Sequence, residues 1–299
     1  MARTIGVIGT GLMGRGMARN LARKGHRVRV QNRTRSRAQE VGEGTQVVDT
    51  PAQAAQEADV VVTMLPDPPA LLDVIEGPGG VLETVRKGTV LIDSSTVSPQ
   101  ATQRVAEKLR AKGAHLLDAP VFGSKNEAEK GELGFMVGGD RAVFEGVQDL
   151  FVGCMGKSAR YIGPSGSGSY AKLVFNLIVA VTLEAFNEGM ALAARAGIDP
   201  QLMYEVLMSG RARAGIIEMK GPNILKRDFA PFFHLRLMEK DLNLALEAAH
   251  ALKVPMPALS AAKQVFTACM GYGLSEEDFS TTIKFFERAT GTEIRPRTP

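Results

Sequence analysis

The sequence predicts an α/β chain, a doubly wound parallel sheet followed by an all-helical second half. From Thr4 to about Ile162, short β-branched runs alternate with amphipathic stretches, the pattern of a parallel sheet covered by helices on both faces. After GPSGSGS at 163–169 the alternation stops, and the remainder reads as helix with breaks at Gly197, Gly210, Pro222, Pro231, Pro255 and Gly273. That shift sets the expected boundaries: a dinucleotide-binding domain over 1–164, a helical domain over 165–292, and a frayed tail over 293–299 that lacks a periodic apolar face.

Each element has its own signal. Strands are expected at 4–9 (TIGVIG), 27–32 (RVRVQN), 60–65 (VVVTML), 89–94 (TVLIDS), 115–119 (HLLDA) and 135–139 (FMVGG), with a short one at 46–48 (QVV). Thr50 before Pro51 and Ser98 before Pro99 mark helix starts, each offering a capping oxygen followed by a proline at the first helical position.

Composition narrows the function classes. The chain has 299 residues, 44% hydrophobic and 23% charged, which suits a soluble globular protein of two domains. A net charge of +4 without like-charge runs speaks against a nucleic-acid partner and favours a small anionic one. Cys154 and Cys269 stand far apart with no metal-ligand spacing, so neither a disulfide framework nor a metal site is expected. No leader precedes the first strand, and the longest uninterrupted apolar run, 177–183, falls short of the about 20 residues of a membrane span. The expectation is a cytoplasmic protein with no membrane partner.

The first βαβ unit carries the chemistry. Gly9, Gly11 and Gly14 form G-x-G-x-x-G between a strand and a helix: Gly9 for the tight turn, Gly11 for close approach of a pyrophosphate, Gly14 for helix–strand packing. The whole turn, with Thr10, Leu12 and Met13, is therefore a candidate cofactor cradle of Rossmann type. Where a carboxylate after the second strand would select NAD, this chain has Asn32, then Arg33, Thr34, Arg35, Ser36 and Arg37, groups suited to a 2′-phosphate. NADP (as NADPH) is favoured over NAD; a solvated basic face is the alternative for Arg35 and Arg37.

Other strand exits hold further candidates, since ligands of open α/β sheets lie beyond the carboxyl ends of the strands. Met64, Leu65 and Pro66 read either as a wall for the cofactor or as a proline turn that starts the next helix. Ser94, Ser95 and Thr96 offer hydroxyls to substrate or nicotinamide. Gly123 and Ser124 read either as a dock for a substrate carboxylate, through backbone N–H groups and a hydroxyl, or as an ordinary loop. In GSGSYAKLVFN (166–176), Lys172 and Asn176 share one face of an apolar helix, which reads either as a site or as a structural ion pair.

These stretches together resemble the β-hydroxyacid dehydrogenases (3-hydroxyisobutyrate dehydrogenase-like): GVIGTGLMGRGMARNL, DSSTVSP, DAPVFGSKNEAEKG, GSGSYAKLVFN and LMEKDLNLALEAA match that family's motifs in order. Asn32-Arg33-Thr34, FGSK and the KGP at 220–222 look most like the NADPH-dependent glyoxylate and succinic semialdehyde reductases. The resemblance implies a dinucleotide domain joined by a long interdomain helix to a helical domain resembling the C-terminal domain of 6-phosphogluconate dehydrogenase. It also implies interconversion of a small hydroxy acid and its semialdehyde. Carried over by position, Lys172 is the catalytic lysine and Asn176 its companion. Thr96, Phe122, Gly123, Ser124, Phe233 and Asp241 fall at substrate positions, Thr96 at a cofactor position as well. Lys240 falls at a cofactor position along with Met64, Leu65, Pro66 and the glycine-rich turn. Phe122 departs from the serine that the family commonly has there.

Three readings follow. The first is an NADPH-dependent reductase of small carboxylate-bearing carbonyls, with 3-hydroxyisobutyrate or tartronate semialdehyde as alternative substrates. An imine reductase of the same architecture, the second, would be expected to carry something other than lysine at 172. The third is a cofactor-binding protein without catalysis. A homodimer or homotetramer is expected from the apolar helices DLNLALEAAHAL and SAAKQVFTACM.

Overall fold

A computed structural model of the protein describes residues 2–296. The strands are β1 (Thr4–Ile8), β2 (Arg27–Gln31), β3 (Thr45–Val47), β4 (Val60–Thr63), β5 (Val90–Asp93), β6 (His115–Asp118), β7 (Val121–Phe122), β8 (Leu133–Gly139) and β9 (Gly156–Gly163). They form one sheet in the order β3-β2-β1-β4-β5-β6-β8-β7, with β9 pairing β8. The run from β3 to β6 is parallel, and the order 3-2-1-4-5-6 is that of the Rossmann fold. The chain reverses between β1 and β4, so the first turn opens at the point where a ligand-binding crevice forms.

The helices of this unit are α1 (Leu12–Arg23), α2 (Arg35–Gln39), α3 (Pro51–Ala55), α4 (Pro68–Glu76), α5 (Pro99–Ala111), α6 (Lys125–Lys130), α7 (Arg141–Gly146) and α8 (Gln148–Phe151). Thr50 and Ser98 cap as expected, accepting from the N–H of Gln53 (3.1 Å) and Ala101 (3.2 Å). Alternation along the strands feeds two cores. Ile5, Val7, Val60, Val62, Val90 and Ile92 enter one, and Ile8, Val61, Leu91 and Leu116 the other. Each such side chain contributes about 1.5–3 kcal/mol by leaving water.

The parallel pattern ends at β8, which runs antiparallel to β6 and β7. The six-residue α6 spans only about 9 Å, too short to carry the chain back along a full strand for a parallel crossover. Sequence reading missed β7 and β9. β7 has two residues, and β9 is half-exposed with Lys157 and Arg160 on it, the charged habit of an edge strand.

By its internal contacts the chain divides into two compact units, Met1–Lys172 and Leu173–Pro299. The long helix α9 (Ser167–Arg195) starts in the first and continues as the first helix of the second. Thereafter come α10 (Pro200–Ser209), α11 (Gly215–Leu225), α12 (Leu235–Ala251), α13 (Pro257–Gly271) and α14 (Ile283–Thr290). Pro222, expected as a break, lies inside α11. Gly221 before it carries no Cβ to meet the proline ring, which relieves the usual pre-proline clash. The expected tail is also anchored at its start, since Ile294 is buried, its N–H donates to Glu287 Oε1 at 2.8 Å, and Arg227 pairs with Glu293; residues 297–299 lie outside the described residues.

By length and composition α9 would suffice to cross a membrane, more than the run 177–183 suggested, because isolated polar residues interrupt an otherwise apolar stretch. Those polar residues, Asn176, Glu184 and Asn187, are buried within the second unit. Burial pushes the Glu184 carboxyl up to about 8, with the Thr282 hydroxyl and Asn187 amide pulling it back. Between the ordinary carboxylate range and about 8, the folded chain therefore holds a proton that the unfolded chain has released, so stability falls as pH rises through that window. The melting temperature is expected to drop between about pH 5 and about pH 8 in wild type and to change much less in Glu184→Gln, a tenfold difference in proton affinity between the folded and unfolded chain being worth about 1.4 kcal/mol.

Candidate functional site

In the first unit the glycine-rich turn forms as its spacing requires. Gly9 has φ +92° and its N–H donates to Gln31 O at 2.9 Å; a Cβ there would strike the Met64 carbonyl. A Cβ on Gly14 would strike the Gly9 carbonyl, so helix and turn are in backbone contact. At Gly11, among the described residues beyond its own chain neighbours and helix backbone, nothing lies within 4 Å of where a Cβ would sit. Gly11 is the N-cap of α1, without side-chain cap or acidic residue in the first turn, so the amides of the first turn remain available to an anion. The buried Thr10 hydroxyl oxygen beside them has no hydrogen-bond partner among the described residues. These observations fit a dinucleotide pyrophosphate at this turn.

Asn32 proves to be a brace. Its Oδ1 accepts from Thr10 N at 3.1 Å and its Nδ2 donates to Thr34 O at 3.0 Å, tying the end of β2 to the turn. Arg33 and Thr34 are exposed just beyond, while Arg35 is committed to an ion pair with Asp49. Met64 and Leu65 are half-buried and Pro66 is exposed at the end of β4. Leu65 N donates to Ser95 Oγ at 2.8 Å, and Ser95 is 1% exposed, so its hydroxyl joins two strand exits. Under it Asp93 accepts from Thr63 Oγ1 (2.8 Å) and Ser95 N (3.1 Å), and burial pushes its carboxyl up to about 6. Thr96 stands half-exposed one residue further.

The third exit is bolted to α1. Gly123 has φ +113°. Ser124 Oγ donates to Glu127 Oε2 at 2.6 Å and its N–H to the same oxygen at 2.7 Å, closing a capping box on α6. Asn20 Nδ2 donates to Ala128 O at 2.8 Å from α1. Phe122 pairs in register with Gly134 of β8, and a Cβ on Gly134 would fall within the Phe122 ring. The aromatic side chain at this departing position thus fills the space above a glycine.

Asp118, at the end of β6, grips the start of α9. Its Oδ1 accepts from Gly166 N at 2.9 Å and its Oδ2 from Ser169 N at 3.0 Å, while Thr102 and Ser169 join hydroxyls at 2.9 Å. Burial pushes this carboxyl up and the backbone donors pull it back. A Cβ on Gly168 would run into the Asp118 and Met136 carbonyls, so GSGS is the sequence that lets the helix seat. Half-buried Lys172 lies one turn on. Sequence reading missed Asp118, although a carboxylate ending an apolar strand (HLLD) must find donors if buried.

In the second unit Asn176 Nδ2 donates to Asp241 Oδ2 at 2.6 Å, with Asn176 and Asp241 3% and 1% exposed. Lys240 Nζ lies 2.9 Å from Asp241 Oδ1. Three predicted residues therefore form one polar cluster. Phe233 is half-exposed with its ring edge-on to Phe279, centroids 6.2 Å apart.

A Rossmann sheet with an open glycine cradle, followed by a helical unit entered through a lysine-bearing helix, defines a nicotinamide-dinucleotide oxidoreductase. Residues 4–163 match the family model of the NAD-binding domain of 6-phosphogluconate dehydrogenase, and 166–286 that of the NAD-binding domain of NADP-dependent 3-hydroxyisobutyrate dehydrogenase. The chain belongs to the 3-hydroxyisobutyrate dehydrogenase-like family of β-hydroxyacid dehydrogenases, oxidoreductases of hydroxy acids and semialdehydes. It is 38% identical to the 2-hydroxy-3-oxopropionate reductase of Escherichia coli (strain K12) over 95% of this chain and 97% of that one. It is 36% identical to glyoxylate/succinic semialdehyde reductase 1 of Arabidopsis thaliana over 94% and 97%. Among solved structures, the 3-hydroxyisobutyrate dehydrogenase of Mycobacterium tuberculosis with L-serine superposes with a TM-score of 0.85 at 31% identity, covering 95% of this chain and 99% of that one.

Proposed function

We propose that the protein is an NADP(H)-dependent reductase of small semialdehydes such as glyoxylate, succinic semialdehyde or 2-hydroxy-3-oxopropionate, giving the corresponding hydroxy acids. The observation that carries the reading is Lys172, held half-buried one turn into a helix whose start is locked by Asp118. The dinucleotide, when bound, supplies the hydride. Lys172 Nζ donates the proton that the developing alkoxide oxygen needs, and its positive charge stabilises that oxygen before transfer. Asn176, oriented by Asp241, belongs to the same helix face. Thr96, Gly123 and Phe122 serve the substrate end. Relatives named for glyoxylate and succinic semialdehyde support this substrate class.

Arg33 carries the cofactor preference, being exposed at the strand end beyond the braced Asn32. The test is steady-state oxidation of NADPH and NADH with glyoxylate and with succinic, methylmalonic and tartronic semialdehydes. NADPH is expected to be preferred. Arg33→Ala should raise the NADPH KM about tenfold, a loss of about 1.4 kcal/mol, and leave the NADH KM in place. Preference for NADH at equal concentration would remove the role given to Arg33.

The apolar faces first invoked for self-association are used up within the second unit: Leu242, Leu244 and Ala245 of α12 and Val265, Phe266 and Cys269 of α13 are buried. Most of the large apolar residues that are more than half exposed lie instead on α9 and α10, namely Val174, Ile178, Leu192, Leu202 and Val206, with Met219 of α11 and Leu252 beyond them. A homo-oligomer joined through that stripe remains the proposed assembly, tested by the solution mass.

A further inference from the structure

The second unit buries an ion pair that the reaction as described does not use. Lys220 of α11 and Asp278 are each 2% exposed, and Nζ lies 2.8 Å from both carboxylate oxygens. Replacing such a pair with apolar groups is often neutral or stabilising, so stability alone is a weak account of it. Its geometry shows what else it does. Asp278 Oδ2 also accepts from the successive N–H groups of Phe232 (3.0 Å) and Phe233 (3.2 Å), and Oδ1 from Ser280 N (3.1 Å) and Ser280 Oγ (2.8 Å). The backbone closes the same strap: Asp278 N donates to Phe229 O at 2.9 Å and Phe279 N to Phe233 O at 3.0 Å. Lys220 Nζ further sits 5.3 Å from the Phe232 ring centroid and 4.8 Å from that of Phe279, the ring that meets Phe233 edge-on. One buried charge pair thus holds the backbone of Phe232 and Phe233 and touches the rings of Phe232 and Phe279, the second of which packs edge-on against Phe233.

We propose that Lys220 and Asp278 are positioning residues for substrate recognition. They hold Phe232 and Phe233 as a preformed apolar wall for the short carbon chain of a semialdehyde or hydroxy acid. The proposal rests on the reading of Phe233 as a substrate residue. Without Lys220, the Asp278 carboxylate loses its counter-charge and the Phe232 and Phe279 rings lose their cation, so the wall must be ordered anew at each binding event, which weakens substrate binding and leaves proton delivery by Lys172 in place.

The test is a double-mutant cycle on the full-length enzyme with the carbonyl compound it turns over best, comparing wild type, Lys220→Met, Phe233→Ala and the double variant. Lys220→Met is expected to raise the substrate KM about tenfold with kcat within about threefold of wild type, and NADPH Kd, read by cofactor fluorescence, unchanged. In the Phe233→Ala background the same substitution should change KM by less than about twofold. A KM within about twofold of wild type, a kcat that collapses at constant KM, or an effect that persists in full without Phe233 would each overturn the proposal. If Lys220→Met fails to fold, Ser280→Ala, which removes a single hydroxyl from Asp278 Oδ1, should raise KM about two- to fivefold, again only where Phe233 is present; an unchanged KM there also overturns it. A wild-type enzyme inactive on every carbonyl tested removes the activity reading and this inference together, whereas an active enzyme with a KM indifferent to Lys220 removes this one alone.

Discussion

Lys172→Ala is expected to lower kcat by about 10²–10⁴-fold, the range that a positioned general acid contributes. The proton for the new hydroxyl must come from a group within reach of the carbonyl oxygen, and an ammonium does two things there that alanine cannot: it stabilises negative charge and it donates. The atoms nearest the cradle glycines Gly9 and Gly14 belong to Met64, Leu65 and Gly9, so NADPH affinity should stay within about threefold in the Lys172 variant, and the loss should fall on kcat, as for a group acting in the transition state. Stopped-flow single-turnover measurements with preformed enzyme–NADPH complex separate the chemical step from release. Near-full turnover in the variant would mean that another group delivers the proton.

Asp118→Ala should act on stability and activity together. The carboxylate accepts N–H groups of Gly166 and Ser169, and Gly138 and Gly168 are free of Cβ atoms that would collide around it. Removing it strands those buried donors, at a cost of about 3–5 kcal/mol for two bonds to a charged acceptor. Chemical denaturation is the measurement, and a drop below about 1 kcal/mol would show that water or a shifted helix replaces the carboxylate. Because Lys172 is carried on the helix so anchored, kcat should fall with stability in this variant, whereas Lys172→Ala should leave the denaturation midpoint nearly unchanged.

Much of the fold was legible because the strands of a buried parallel sheet have little choice of composition. VVVT and VLID can only be interior strands, and Gly9, Gly11 and Gly14 each meet a steric or ligand demand that no other residue meets. What the sequence hid was of two kinds. β9 carries polar, alternating residues that look like loop, and β7 is only the two residues Val121–Phe122, too short to read as a strand. Pro222 reads as a break because the relief of its clash depends on the glycine before it. At the site, residue types at strand exits were readable, but not what their polar atoms are bonded to. Ser95, Ser124 and Asn32 looked ready for ligand, and the sequence did not show that they also bond to Leu65, Glu127 and Thr10 and so brace the loops. The buried charges Asp118, Lys220 and Asp278 were hidden for the converse reason: their donors and acceptors lie tens of residues away in sequence.

The seating of α9 on Asp118 has an implication for how such enzymes diversify. Gly166, Ser169 and Lys172 all belong to the same compact unit as the cofactor turn, whereas Asn176, Phe233 and Asp241 belong to the other. On the proposed roles, proton delivery would be inherited with the dinucleotide half, together with the substrate positions Thr96, Phe122 and Gly123, and only the contacts of Phe233 and Asp241 with the helical half. A chimera spliced at 173 in helical phase would then keep Lys172, Thr96 and Phe122 in place and exchange only the part of the substrate range that Phe233 and Asp241 set.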